Sequence, residues 1–438
     1  MKIVLVHPPS VEVYKEFKRE AINRLPIGLA YIAAIAEQEG HDVVVIDAEA
    51  SKISLSAVLA EIESHMPQVV GVTCTTPLFP LASKLLKETK SKYPEMITVL
   101  GGPHINALPK ESLEKCPSVD YAVYGEGDIT FIELISYLNE PSTICNIPGI
   151  AWRNNGKIVV NDSRALLEDL DKLPFPARSK FPLEKYFDPD RYNEPYTLFA
   201  SSRGCPYKCI FCGSSSTWGR KTRFRSPQNV IEELKQVVQD FKIKNITFCD
   251  DTFTLQRKRV IDICRGIVEN NLNITFLCSS RINTIDESRL EWLAKAGCKE
   301  ISFGIESADL QILKTIKKEI DLAQVKPKIA MVKKFGIRVH SSYIIGNPGD
   351  TEETIEKTIN FAIESGTDEA QFSIATPYPG TPLWEMAVQR GAFKSQDYSN
   401  FKWYYSVVAN LSEVSDEALI QFQRTAYDRF KKETKSPS

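Results

Sequence analysis

Three cysteines, Cys205, Cys209 and Cys212, stand at C-x3-C-x2-C spacing in the segment RGCPYKCIFC. Thiolates on one short loop are soft metal ligands. Structural zinc takes four N or S ligands, usually as two pairs, and no histidine or fourth cysteine lies nearby in the sequence. Ferredoxin spacing is tighter and recruits a further cysteine. Three thiols without a fourth therefore suit a [4Fe–4S] cluster with one iron left for a non-protein ligand. A zinc site and a chance grouping of thiols are the alternatives. The other seven of the ten cysteines are dispersed, and most of them read as small buried apolar residues.

The elements that must position this loop follow from the hydrophobic pattern. Over residues 1–145, short apolar runs (KIVLV, DVVVID, QVVGVTC, ITVLGG, DYAVYG) alternate with amphipathic stretches such as PIGLAYIAAIAEQEG and LASKLLKETKSKY. This predicts a doubly wound, Rossmann-like α/β domain whose ligands lie beyond the carboxyl ends of the strands. Those ends carry HPPS, TCTTP, GGPH and YGEGD, which either admit a bulky ligand close to the backbone or are simply tight turns. Residues 146–195 hold a hairpin with NNG at its turn, then a proline-rich linker. Residues 196–384 repeat the strand–helix alternation six times, predicting a partial (β/α)6 barrel with its chemistry at the strand ends. A helical segment, 385–438, follows with the aromatic group FKWYY. Its last helix is expected to be capped by Ser415, or one turn earlier by Ser412.

The chain has 438 residues and a formal net charge of −2 with scattered basic residues, which gives a nucleic-acid role no support. There is no apolar run of about 18 residues for a membrane span. Nothing at the amino end resembles a signal peptide, so the expected compartment is the cytoplasm. No G-x-G-x-x-G or Walker A loop occurs.

RGCPYKCIFC resembles the signature of the radical S-adenosylmethionine (SAM) superfamily. The resemblance implies that SAM chelates the open iron and is cleaved to a 5′-deoxyadenosyl radical. It implies strand-end contacts to SAM: Asp250 and Asp251 near the amino group, Arg281 on the carboxylate, Glu306 and Ser307 on the ribose and amino acid moiety. Phe211 and the turn IIGNPGD would lie by the adenine. Asp251, Arg281 and Glu306 also fit a plain salt-bridge network at the mouth of the barrel.

The segments LPIGLAYIAA, GGPHIN, DYAVYGEGD, IPGIAWRNNGKIVVN, DLDKLPFPAR and TPYPGTPLW are similar to the cobalamin-binding subfamily of radical SAM enzymes. That implies a cobalamin on the first domain, with Pro9, Thr75, Thr76, Gly101, Gly102, His104, Gly125, Glu126 and Gly127 as contacts. Tyr14, Thr73 and His7 are further candidates. The chain departs from many cobalamin domains in lacking D-x-H-x-x-G. His104 then reads as a cobalt ligand, a corrin-edge group or a turn residue. The implied activity is a cobalamin-dependent methylation of an unactivated carbon. Tyr378, Trp403 and Tyr404 would line the substrate cavity or pack the barrel's open end. The implied partners are an external electron donor and a substrate that is a peptide or protein, a small molecule or a lipid. In layout the chain is similar to the methylases of a glutamine carbon in methyl-coenzyme M reductase. A cyclase or coupling enzyme, a hopanoid-type methylase, and a corrinoid- or metal-binding carrier or sensor stay open.

Overall fold

The computed structural model describes residues 1–10, 13, 23–138, 141–188, 191–192 and 194–434; Tyr14 lies outside them. The chain forms two compact units, Met1–Leu198 with Ser216–Gly219, and Phe199–Ser215 with Arg220–Ser438.

The first unit is built on strands β1 (Lys2–His7), β2 (Asp42–Asp47), β3 (Val69–Thr73), β4 (Ile97–Gly101), β5 (Tyr121–Val123), β6 (Ile150–Asn154) and β7 (Lys157–Val160), in sheet order β2-β1-β3-β4-β5-β6-β7. The first five pair in parallel, and β6 and β7 add antiparallel. Near-continuous burial of Ile3–Val6 and Val69–Val72 is what a parallel strand covered on both faces requires. The strand order reverses between β1 and β3, so His7–Ser10 and Thr73–Thr76 emerge at the switch point, where such sheets bind ligands. The NNG hairpin forms as expected, with Asn155 and Gly156 both at positive φ. It extends the first sheet through β5 instead of standing apart from it.

The second unit begins within β8 (Tyr196–Phe199). A two-stranded antiparallel pair, β9 (Ser202–Arg203) with β10 (Arg223–Phe224), follows. Then come β11 (Asn245–Phe248), β12 (Thr275–Ser280), β13 (Cys298–Glu306), β14 (Arg338–Ile345) and β15 (Glu369–Ile374). The six-stranded sheet runs β15-β14-β13-β12-β11-β8 in unbroken sequence order. This is the partial barrel read from the pattern, with β8 and β15 as unjoined edges. Its helices start where the sequence signals them. Ser226 accepts from the Asn229 amide before helix Pro227–Gln239, which buries Val230, Ile231, Leu234 and Val237 at helical spacing. Thr351 and Thr354 form a reciprocal cap on Glu352–Glu364. The last helix, Asp416–Thr434, is capped by Ser415, whose Oγ accepts from the Ala418 amide at 3.2 Å. Among the described residues no helix is long and apolar enough to cross a membrane.

Candidate functional site

The cysteine loop leaves β9 through Gly204, which has φ 91°, and is suspended by its main chain. The Ile210 amide donates to the Ile316 carbonyl at 3.1 Å, and the Leu383 amide donates to the Ile210 carbonyl at 3.0 Å. Ile210 itself is buried among Leu313, Ile316, Leu383 and Leu411, with Phe211 packed against this cluster. Cys205, Cys209 and Cys212 are half-buried free thiols. Burial, followed by the nearby Asp251 and sister thiols, pushes Cys212 up to about 11, and burial also raises Cys205.

Arg281 reaches this loop from the end of β12. Its Nη1 lies 3.5 Å from Cys209 Sγ, and its Nη2 donates to the Glu319 carbonyl at 2.9 Å. The guanidinium sits 3.6 Å from the centre of the Tyr207 ring, and its Nε is buried with no partner. Cys205 Sγ lies 4.0 Å from Thr252 Oγ1. Among the described residues, no three His, Cys, Asp or Glu side chains meet as a preformed metal site. The loop fits a cluster by its chemistry: three thiols, none in a disulfide, beside a buried cation with an orphaned donor.

The two adjacent aspartates after β11 part company. Asp250 is 2 % exposed and turned inward, accepting from the Ser201 amide at 3.0 Å, Ser201 Oγ at 2.7 Å and Ser202 Oγ. Asp251 reaches solvent and accepts from Ser214 Oγ at 2.5 Å, just past Cys212. Crowding by surrounding protein and the Asp250 charge raise its pKa despite that opening. At the end of β13, Glu306 forms a buried ion pair with Lys318, Oε1 to Nζ, at 2.9 Å. Ser307 is fully buried, its hydroxyl engaged by the Asp309 amide and Thr358. In the IIGNPGD turn, Asn347 is fully buried and held by Asp350, with Oδ1 unpartnered.

Tyr378 donates to the Phe401 carbonyl at 3.2 Å. The Ile374 amide donates to the Trp403 carbonyl at 3.0 Å, so FKWYY lines the β15 edge. The Trp403 and Tyr404 rings lie 4.2 Å apart, tilted by 33°, and Tyr404 also faces Tyr427 of the last helix. Both stay partly exposed. A recess of about 410 Å³ nearby includes Ser215, Arg220, Thr381 and Glu385 and none of the three cysteines.

In the first unit the strand ends are drawn tightly together. The Cys74 amide donates to the Gly101 carbonyl at 2.9 Å, and Gly102, at φ 102°, precedes helix Pro103–Ala107. Thr75 is exposed there, while Thr76 is buried. His104 is 1 % exposed, with Nδ1 at 3.2 Å from Thr76 Oγ1 and its ring 4.4 Å from that of Phe79. Burial lowers its pKa to about 4, so the ring is neutral and enclosed. The Gly125 amide donates to Asn106 Oδ1 at 2.9 Å, and Glu126 accepts from the Leu167 amide at 2.8 Å. Gly127 opens helix Gly127–Tyr137. Pro9 is buried after β1. His7 Nδ1 meets Asp47 at 3.1 Å, and Tyr186 donates to the other Asp47 oxygen at 2.6 Å. The carboxyl-end surface of this sheet is glycine-rich backbone with hydroxyls, which suits a large flat ligand approached by main chain, and it holds its best-buried histidine inward.

Sequence reading missed Lys318, Glu319, Tyr207, Thr252 and Asn106. Tyr207, an aromatic inside the cysteine motif, and Asn106, the last residue of GGPHIN, carried a local signal; the others come close through tertiary folding.

Two family models match separate stretches of the chain. Residues 200–362 match the radical SAM superfamily model and residues 25–135 the B12 binding domain model. The chain is 37% identical, over 98% of its length and 92% of the relative's, to the uncharacterized methyltransferase PH0819 of Pyrococcus horikoshii. It is 29% identical, over 88% of its length and 70% of the relative's, to the anaerobic magnesium-protoporphyrin IX monomethyl ester cyclase of Rubrivivax gelatinosus. Its fold is similar to that of the radical SAM methyltransferase TsrM from Kitasatospora setae, solved with cobalamin and a [4Fe-4S] cluster. The TM-score is 0.74 at 18% identity, covering 89% of this chain and 75% of that one.

Proposed function

The chain belongs to the cobalamin-binding radical SAM family, and from that premise we propose that it transfers a methyl group to an unactivated carbon of its substrate. The observation that carries this reading is the presence in one chain of a B12-binding match, a radical SAM match and near-full-length similarity to a methyltransferase. When bound, the cluster supplies the electron that cleaves SAM, and cobalamin supplies the methyl-carrying metal.

The residues of the chain then have separable tasks. Cys205, Cys209 and Cys212 supply the thiolates, and Arg281 balances negative charge at Cys209 with a guanidinium already 3.5 Å away. Asp251 and Glu306 offer carboxylate oxygens to the amino and hydroxyl groups of SAM. Asp250 and Ser307 act one step back, by holding Ser201–Ser202 and the Asp309 turn in place. On the first unit, the backbone at Gly101–Gly102 and Gly125–Gly127 and the hydroxyl of Thr75 take the corrin. Partly exposed Tyr378, Trp403 and Tyr404 are substrate contacts. The reading requires an external electron donor and a reducing compartment, the cytoplasm. The substrate we favour is a peptide or protein carbon; small molecules and lipids are the other classes to be offered in the assay.

Protein reconstituted anaerobically with iron, sulfide and a corrinoid should bind the corrinoid. With reductant and methyl-labelled SAM it should give 5′-deoxyadenosine and S-adenosylhomocysteine, and labelled product once the substrate is supplied. Failure to bind a corrinoid, or SAM turnover without S-adenosylhomocysteine, overturns the reading. The similarity to a cyclase favours a second reading, which unlabelled product with 5′-deoxyadenosine would select.

A further inference from the structure

Glu306 and Lys318 are 6 % and 7 % exposed, so their ion pair is buried. Such pairs are commonly no more stabilising than apolar side chains of the same size. The chain nevertheless goes to some length to keep this one. Glu306 has φ 72°, a left-handed conformation that a non-glycine residue holds only when its surroundings enforce it. The β13–β14 register shifts between Gly304 and Glu306. A side chain at Gly304 would stand 2.2 Å from Glu306 Oε1 and 2.8 Å from Lys318 Nζ, so this glycine is what leaves room for the pair. Lys318 takes Oε1. Glu306 Oε2 receives no hydrogen bond from the described residues, and it is not among the fully enclosed unpartnered atoms.

Lys318 arrives on a rigid segment. Helix Leu310–Thr315 ends with Lys317 at φ 54°, the Lys318 amide donating to Leu313 at 2.9 Å and the Lys317 amide to Lys314 at 3.1 Å. This is a Schellman closure, which fixes the next residues in place. Within the same five residues, 316–320, the Ile316 carbonyl accepts from Ile210 of the cysteine loop. The Glu319 carbonyl accepts from Arg281, whose other nitrogen touches Cys209. One short segment therefore joins the cysteine loop, the cation beside it and the strand-end carboxylate.

We propose that Lys318 is a positioning residue for SAM: it holds Glu306 by one oxygen so that the other faces the ligand's donors. Through Ile316 and Glu319, the 316–320 segment keeps that carboxylate in register with the cysteine loop. The inference rests on the proposed SAM chemistry, and its test separates the two. SAM binding to cluster-loaded protein is measured by equilibrium dialysis, and the electron paramagnetic resonance spectrum of the reduced cluster is recorded with and without SAM. Wild-type protein that binds no SAM overturns the proposed function itself. If wild-type protein binds, Lys318→Met should weaken SAM binding tenfold or more and abolish the SAM-induced spectral change, at unchanged iron content. The neutral double variant K318M/E306Q answers a folding defect, because it removes the unpaired buried charge. It should recover the thermal stability of the chain and, because Lys318 acts through Glu306, bind SAM no more weakly than Glu306→Gln alone. Wild-type SAM affinity in K318M, or a further tenfold loss on adding K318M to the E306Q protein, overturns the positioning role.

Discussion

Replacing Gly102 by alanine probes the turn at the carboxyl end of β4. Gly102 has φ 102° and ψ −179°, a region nearly closed to L side chains, where occupancy costs about 1–3 kcal/mol. A Cβ there would lie 2.6 Å from the Cys74 carbonyl oxygen, 2.7 Å from Thr73 Oγ1 and 2.8 Å from the Cys74 amide nitrogen. Two of these atoms are main chain and are tied to Gly101 and His104 by hydrogen bonds, so relief requires the ends of β3 and β4 to part. Overpacking of that kind adds about 1–3 kcal/mol. The expected loss is therefore about 2–6 kcal/mol, a large share of the ~5–15 kcal/mol that keeps a domain folded. At about 2–4 °C per kcal/mol for a unit of this size, the calorimetric transition of the first unit should fall by at least about 4 °C. Corrinoid binding, followed by absorbance, should weaken with it. Gly28→Ala is the control: nothing lies within 4 Å of its Cβ, and it stands in helix Ile27–Gln38, where alanine is favoured by about 0.5–1 kcal/mol. A Gly102→Ala protein within about 0.5 kcal/mol of wild type and unaltered in corrinoid binding would refute the reasoning.

Serine at Cys205, Cys209 or Cys212 should in each case abolish the cluster, read as iron and sulfide content and visible absorbance, while circular dichroism stays unchanged. Arg281→Lys keeps the charge but loses the fork that reaches both Cys209 and Glu319; SAM affinity by equilibrium dialysis should fall roughly tenfold, about 1.4 kcal/mol, and an unchanged affinity would show that this fork does not shape the SAM site. Because His104 titrates near 4 when folded and about 6.5 when unfolded, the unfolded chain binds the extra proton first. Stability is then complete above about pH 6.5 and drains as pH falls to about 4, by on the order of 3 kcal/mol. Urea titrations of His104→Gln should show that slope flattened, and an identical pH profile would show that His104 is not its source.

The parts of this molecule legible in the sequence are those that local pattern determines. Cysteine spacing lies within eight residues, strand–helix alternation within about thirty, and NNG marks its own turn. Position at a strand end was legible too, but not which way each side chain faces. Asp250 and Asp251 come just after the last residue of β11, where the chain enters a turn at Asp251, so strand alternation does not fix which way either faces. One ends up gripping Ser201 and Ser202, the other opens toward the cysteine loop. Ser307 follows Glu306, whose φ of 72° breaks the strand alternation, and turns into the core. Lys318 could not be found by pattern, because what makes it notable is a glycine fourteen residues earlier and a bulge in a neighbouring strand. The pairing of the hairpin with β5 was hidden for a related reason: a turn motif specifies its own two strands and says nothing of a third.

The suspension of the cysteine loop bears on how the enzyme ages. Two of its anchoring bonds, at Ile316 and Leu383, are main chain to main chain and involve no thiol. Oxygen that strips out iron would thus remove the cargo without dismantling the cradle.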